Sequence, residues 1–322
     1  MGLVLGFSAM IKRTIEISQQ PAHLTVKLNQ LLVQPHDQPT ESHRSIPCED
    51  IGVVLVDHQQ TTYTHAALAR LMAFDGVLVV CGRDHLPAGI LLPMSDHSQV
   101  VWRIHDQLSI SKPLKKQLWK QIVQAKIRAQ AMNLPEGSRQ RGRLLGMIRE
   151  VRSNDSSNCE SQAARIYWSA WLPAEYKFRR DPDGEPPNNM LNYGYAVIRA
   201  AIARALVAAG LLPALGLHHH NRSNAFCLAD DLLEPLRPIV DHRARELFVN
   251  HERRELDQPT KAGLLEILTW PVVTELDGEK EFRGPLMIAI QRLIGSLVRC
   301  YQRETKSLVI PFNKDGETDG SC

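Results

Sequence analysis

No Cys-x-x-Cys pair occurs in the sequence: the six cysteines, Cys48, Cys81, Cys159, Cys227, Cys300 and Cys322, are scattered. That spacing argues against a zinc knuckle or a disulfide framework and fits a reducing cytoplasm, the expected location. A large excess of one sign of charge is also missing. Thirty-eight Lys and Arg stand against 35 Asp and Glu, a formal net charge of +3, so any affinity for nucleic acid has to come from local patches. Long uncharged apolar runs are missing too. The most apolar segment, Tyr195 to Leu217, carries Arg199 and Arg204 and is broken by Gly210 and Pro213, which predicts a buried helix and no membrane span. Met1 to Ala9 is apolar but has no basic region and no cleavage pattern, so it does not read as a signal peptide. Met10 reads as an alternative start that would make those nine residues a dispensable extension.

At 322 residues, 43% of them hydrophobic, the chain is long enough for two domains with cores of their own. Residues 10–95 read as a β-rich, sandwich-like domain suited to pairing two copies. Arg13 to Ile17, Leu24 to Leu28 and Leu31 to Gln34 alternate, with a hairpin turn expected at Asn29-Gln30. Ile51 to Val56 and Gly76 to Cys81 are continuous apolar runs of the kind buried on both faces. Between them a helix is predicted over Thr64 to Phe74, capped by Thr64. His58, His65 and His85 are isolated and read as structural.

Residues 96–305 read as helical, so the predicted class is α+β. Helices are expected over Lys112 to Met132 and Pro135 to Val151. The window 112–152 holds eleven basic residues, among them Lys115, Lys116, Lys126, Arg141 and Arg143, against Glu136 and Glu150 alone. A merely solvated face normally mixes signs, so this one points to phosphate binding. Ser157 and Glu160 have the spacing of a capping box, which would account for Glu160 structurally. Ala163, Ala164, Tyr167, Trp168 and Trp171 form a buried stripe. A loop, Ala174 to Pro187, carries Lys177, Arg179 and Arg180, and Asn188 to Ala209 is the apolar helix. Val272 to Glu275 and Lys280 to Arg283 flank Asp277-Gly278 as a hairpin, and a last helix runs from Pro285 to about Thr305. The tail, 306–322, is expected to be disordered apart from Leu308 to Phe312.

One stretch concentrates chemistry. Gly216-Leu217-His218-His219-His220 ends in imidazoles, and a polar turn, Asn221 to Asn224, leads into a helix whose apolar positions Leu228, Leu232, Leu233 and Leu236 recur at helical spacing. A kink is expected near Pro235. Asp231 and Glu234, or Asp230 and Glu234, share one face of that helix. A carboxylate pair with an imidazole delivered by the preceding turn is half of a divalent-metal site, better suited to Mg²⁺ or Mn²⁺ than to Zn²⁺. Acidic residues in a first helical turn also favour the macrodipole with no metal present, so this stretch alone leaves both readings open.

Four runs in order, Asn158-Cys159-Glu160-Ser161-Gln162-Ala163-Ala164-Arg165, Asn188-Asn189-Met190-Leu191-Asn192-Tyr193-Gly194-Tyr195, His218-His219 and Leu228 to Pro238, closely resemble the CRISPR-associated integrase, the metal-dependent endonuclease subunit of spacer capture in prokaryotes. The resemblance spans roughly residues 10 to 305. Its His-His-x-Asn run and Glu-Pro-x-Arg-Pro ending look most like the type II branch. It implies metal ligands at Glu160, His219 and Glu234, with Asp231 as an accessory carboxylate. His219 is taken over His218 because the family's His lies immediately before the polar turn. The implied activity joins the 3′-OH of a captured DNA fragment to a leader–repeat phosphodiester by transesterification, with Mg²⁺ or Mn²⁺. Phosphate contacts would come from Lys115, Lys116, Arg141, Arg143, Arg165, Lys177, Arg179 and Arg180. The implied partners are double-stranded DNA, a second copy of the chain, and a small CRISPR-associated companion subunit in a heterohexamer. Two other functions fit the residues: a metal-dependent repair nuclease on branched or single-stranded DNA, and a non-catalytic DNA-binding scaffold.

Overall fold

The computed structural model describes residues 12–36, 43–83, 85–94, 97–274 and 281–313. The N-terminal extension, Asp277-Gly278 and the last nine residues of the tail lie outside the described residues.

Strands β1 (Arg13–Ile17), β2 (Ala22–Lys27), β3 (Gln30–Pro35), β4 (Arg44–Pro47), β5 (Ile51–Val56), β6 (Thr62–Tyr63), β7 (Val77–Cys81) and β8 (Pro87–Leu91) form two four-stranded sheets, ordered β1-β5-β7-β8 and β4-β3-β2-β6. Helix α1 (His65–Ala73) starts on Thr64, whose hydroxyl accepts the Ala67 N–H at 3.2 Å. The β2–β3 turn sits one residue earlier than the sequence suggested. Leu28 and Asn29 both have positive φ, 48° and 62°, the backbone a tight two-residue hairpin requires. Gln30 is already in the ladder, opposite Lys27.

The continuous apolar runs have a direct cause. Successive side chains of β5 point to opposite faces, and each face has its own core. Val54 and Val56, with Leu78 of β7, pack with α1 and the second sheet. Val53 and Leu55, with Val77 and Val79, pack into the helical half. The class is α+β, as the sequence indicates, and the first sheet is shared between the two halves.

The helical half contains α2 (Val100–Ser109), α3 (Lys112–Met132), α4 (Arg139–Met147), α5 (Cys159–Trp168), α6 (Asn188–Ala208), α7 (Cys227–Leu233), α8 (Arg237–Arg245), α9 (Gln258–Leu265), a two-stranded ladder of β9 (Pro271–Thr274) and β10 (Phe282–Pro285), and α10 (Leu286–Tyr301). Helix α4 is shorter than the expected Pro135 to Val151. Gly137 (φ 73°) turns the chain, and Ser138 caps the helix by accepting the Arg141 N–H. Helix α6 is buried over most of its surface, as a central helix is, and crosses α8 so closely that a Cβ on Gly194 would lie 2.4 Å from Val240. The kink near Pro235 is a 3₁₀ turn, Glu234–Leu236, between α7 and α8. The segment after α10 is laid against the helices: Gln121 bonds the Lys306 carbonyl and the Leu308 N–H, and Phe312 bridges to Val273. Among the described residues, no helix is long and apolar enough to cross a membrane.

Candidate active site

Glu160 lies in the first turn of α5, but no capping box forms there. Asn158 adopts a left-handed backbone (φ 53°), and the Asp155 carboxylate accepts the N–H groups of Cys159 and Glu160 at 2.8 and 2.9 Å. Asp155 therefore does the capping, and the Glu160 side chain is free to face inward. Its Oε1 receives a hydrogen bond from Nζ of Lys126 at 2.6 Å, and the same ammonium donates to Oε2 of Glu234 at 2.5 Å. The other oxygen of Glu234 accepts from Nε of Arg237 at 2.9 Å. Lys126 and Glu234 are only 8% and 6% exposed.

Burial alone would push the Glu234 carboxyl upward, but the charges of Lys126 and Arg237 outweigh it and hold the group at about 2. Burial likewise opposes the charge on Lys126, and Glu234 and Glu160 more than offset it, raising its pKa. Sequence reasoning had counted Lys126 into the cationic surface. It belongs to the inner face of α3 with Trp119, Ile122, Val123 and Gln130, and its place in that helical stripe was the signal that could have separated it from the other ten basic residues.

Asp231, one helical turn before Glu234, serves a different purpose. It is fully buried. Its Oδ2 accepts the N–H groups of Leu217 and His218 at 2.6 and 3.0 Å, and its Oδ1 faces both the N–H and Nδ1 of His219 at 3.2 and 2.6 Å. The hydrogen bond to Asp231 is the main cause of the raised pKa of His219, to which the charges of Glu234 and Glu160 also contribute. His218 stacks flat on Trp119, ring centroids 4.2 Å apart, and His220 is exposed. Asp230, the alternative partner for Glu234, is taken by Arg199 at 2.9 Å and Asn224 at 2.6 Å.

The predicted residues thus fall into two adjoining pairs, Glu160 with Glu234 and His219 with Asp231. Among the described residues no three His, Cys, Asp or Glu side chains share one ion-sized position. The two glutamates nevertheless converge on a single cationic nitrogen, at the separations of charge-assisted hydrogen bonds, 2.6 and 2.5 Å. A hard, anionic oxygen pair is the donor type that suits Mg²⁺ or Mn²⁺, and here the Lys126 ammonium sits between its oxygens.

A cleft of about 230 Å³ opens over the glutamates and is also lined by Arg180, Tyr195 and Arg237. Arg180 is held by Asn188 and Asn192, at 3.0 and 2.6 Å, and the Arg237 guanidinium lies 4.5 Å from the Tyr195 ring centroid. Of the candidate phosphate contacts, Lys116, Arg143, Arg165, Lys177 and Arg179 are exposed, while Lys115 and Arg141 are half-buried. A second cavity, of about 370 Å³, is lined by His219 with Lys115, His220 and Arg222.

A sequence profile of the family described as "CRISPR associated protein Cas1" matches residues 15–266. The chain is 39% identical over 260 residues, 80% of its length and 83% of the relative's, to the CRISPR-associated endonuclease Cas1 of Neisseria meningitidis serogroup C (strain 8013). In fold it is similar to a casposase bound to integration product, with a TM-score of 0.75, 18% identity and coverage of 92% and 93% of the two chains. It is also similar to a chain of a Cas6-RT-Cas1–Cas2 complex, with a TM-score of 0.72 and 18% identity, over 95% of this chain and 36% of the other.

Proposed function

The chain belongs to the Cas1 family of CRISPR-associated proteins, and from that premise we propose that it is a metal-dependent DNA integrase and endonuclease that inserts captured fragments into a CRISPR array. The 3′-oxygen of the incoming fragment attacks an array phosphorus, a new P–O bond forms as the old one breaks, and the proton of the attacking hydroxyl ends on the departing 3′-oxygen or on solvent. No protein nucleophile and no nucleotide hydrolysis are needed.

Glu160 and Glu234 would hold Mg²⁺ or Mn²⁺, and Nε2 of His219 would complete the set only by moving toward them, because the three side chains do not share one position in this structure. The bound ion supplies Lewis acidity and offsets charge developing on the phosphorane-like transition state. Asp231 fixes the His219 ring, as a carboxylate behind a ligating imidazole does. Arg180 and Arg237 face the cleft where a phosphodiester enters and bind its oxygens. Lys116, Arg143, Arg165, Lys177 and Arg179 contact backbone phosphates farther out, contributing affinity and little sequence information. The casposase structure similar to this one holds an integration product, and another similar chain sits in a complex with Cas2; double-stranded DNA and a Cas2-like companion are the partners assigned here, in a heterohexamer whose copies of this chain pair through the β-rich half. The His-His-x-Asn run supports the type II branch.

The observation that carries this reading is the convergence of Glu160 and Glu234, 74 positions apart in the chain, on one cationic nitrogen. The test is a strand-transfer assay on supercoiled plasmid, with short duplexes ending in 3′-OH or 3′-dideoxy and with Mn²⁺ or EDTA. Joining that needs both 3′-OH and metal is expected, lost in Glu160→Ala, His219→Ala and Glu234→Ala while DNA binding persists. Cutting without joining would indicate a repair-type nuclease, and a mobility shift alone a scaffold.

A further inference from the structure

Lys126 is the one cation in the described helical half that touches both glutamates of the site, and its position has a consequence for how that site is filled. We propose that Lys126 is the resident counter-ion of the metal-free site, so that a divalent ion enters only as the Lys126 ammonium leaves the two carboxylates. This rests on the metal site proposed above and adds a competition within it.

The geometry carries the inference. The ammonium lies 2.6 Å from Glu160 Oε1 and 2.5 Å from Glu234 Oε2, so it occupies the point on which both oxygens converge. A metal ion coordinated by those two oxygens would take the same volume. Two cations cannot share it, because steric overlap and like-charge repulsion in a buried site both oppose that arrangement. Charge matches as well. Glu160 and Glu234 carry two negative charges, and Lys126 and Arg237 supply two positive ones. These four side chains therefore balance one another without any metal, with Arg180 and Asp241 lining the same cleft.

Arg237 is tied to the opposite oxygen of Glu234 and packed on Tyr195, so it need not move. Lys126 has a flexible four-carbon stem, and the adjoining cleft gives its ammonium somewhere to go. Metal entry would free a positive charge at the spot where a nucleic-acid phosphate has to dock. That links occupancy of the metal position to affinity for the DNA strand.

The experiment uses the full chain with Mn²⁺ as the probe. Binding is read by calorimetry or by electron paramagnetic resonance of free Mn²⁺, alongside thermal unfolding in EDTA and in saturating Mn²⁺. Lys126→Met is expected to bind Mn²⁺ at least tenfold more tightly than the parent, to unfold at lower temperature in EDTA, and to gain more from Mn²⁺ than the parent does. Lys126→Gln, which keeps a hydrogen-bonding side chain, carries the same test if the methionine variant does not fold. Mn²⁺ affinity that is unchanged or weaker in a folded variant would overturn the competition while leaving the metal site standing. If the parent and both variants bind no Mn²⁺, the metal site itself falls and the competition with it.

Discussion

Nδ1 of His219 lies 2.6 Å from Oδ1 of Asp231, a carboxylate that also receives three backbone N–H groups from residues 217–219. One buried side chain thus folds the loop and fixes which imidazole nitrogen is spoken for. With Nδ1 donating to Asp231, Nε2 carries the lone pair available to a ligand. Asp231→Asn is expected to place an amide N–H against backbone donors, costing about 2–3 kcal/mol in urea unfolding. It should also lower metal-dependent joining by roughly 10- to 100-fold, the usual penalty for losing the group behind a metal-bound histidine. Unchanged stability would remove Asp231 as the organiser of the loop.

Gly216 tests the same loop from its backbone. A Cβ there would lie 2.4 Å from the His219 carbonyl oxygen and 2.9 Å from Oδ2 of Asp231, neither of which can retreat without breaking the Asp231 hydrogen bonds. Gly216→Ala is therefore expected to displace the His219 loop and to reduce joining at least tenfold, with a lower melting temperature. Gly142, within α4, has nothing within 4 Å of its virtual Cβ. Gly142→Ala should instead stabilise the protein by about 0.5–1 kcal/mol, because the helix no longer orders a glycine. Similar melting temperatures for the two variants would contradict both assignments.

These contrasts also show what could be read from the chain and what could not. Strands β5 and β7 were legible because two cores leave no polar face. Strands β4, β6 and β8 were not, since they carry no continuous β-branched run and are defined by what their neighbours pair with. The Ser157–Glu160 spacing fits a capping box, yet the left-handed Asn158 hands that task to Asp155. Lys126 was hidden for a related reason: composition counts it as surface charge, and only its angular position on α3 puts it inside. Glu234 stood out on its own helix face, but Glu160 and its pairing with Glu234 came from resemblance to a family, because nothing local reveals that residues on α5 and on the turn after α7 meet.

The two halves are also joined by charge. Lys261 of α9 donates to Oδ2 of Asp57, just beyond β5, and both are buried; His85 adds a contact to the same carboxylate at 3.0 Å. Removing one partner of such a pair strands the other. Lys261→Met is expected to cost about 3 kcal/mol, measured by chemical denaturation. Asp57→Asn combined with Lys261→Met should cost clearly less than the two single changes added together. Strict additivity would mean that the pair does not couple the sheet to the helices.

Glu16 of β1 sits close enough to this pair to feel both charges, and its Oε1 is buried with no hydrogen-bond partner among the described residues. Burial pushes its carboxyl up to about 7, with the Ser18 hydrogen bond and the Lys261 charge opposing and Asp57 assisting. The folded protein therefore holds this proton at pH values where the unfolded chain, with an ordinary glutamate near 4.3, has released it. Because the native state then binds more protons than the unfolded one, stability falls as pH rises. The advantage of the protonated group is complete below about pH 4.3, declines through the interval up to 7, and is gone above it. Glu16→Gln keeps the shape without the titration. Across pH 5 to 8 the parent is expected to lose about 1 kcal/mol relative to that variant, a figure reduced for the partial exposure of the side chain. Parallel stability curves for the two proteins over this range would show that Glu16 is ionised in the fold.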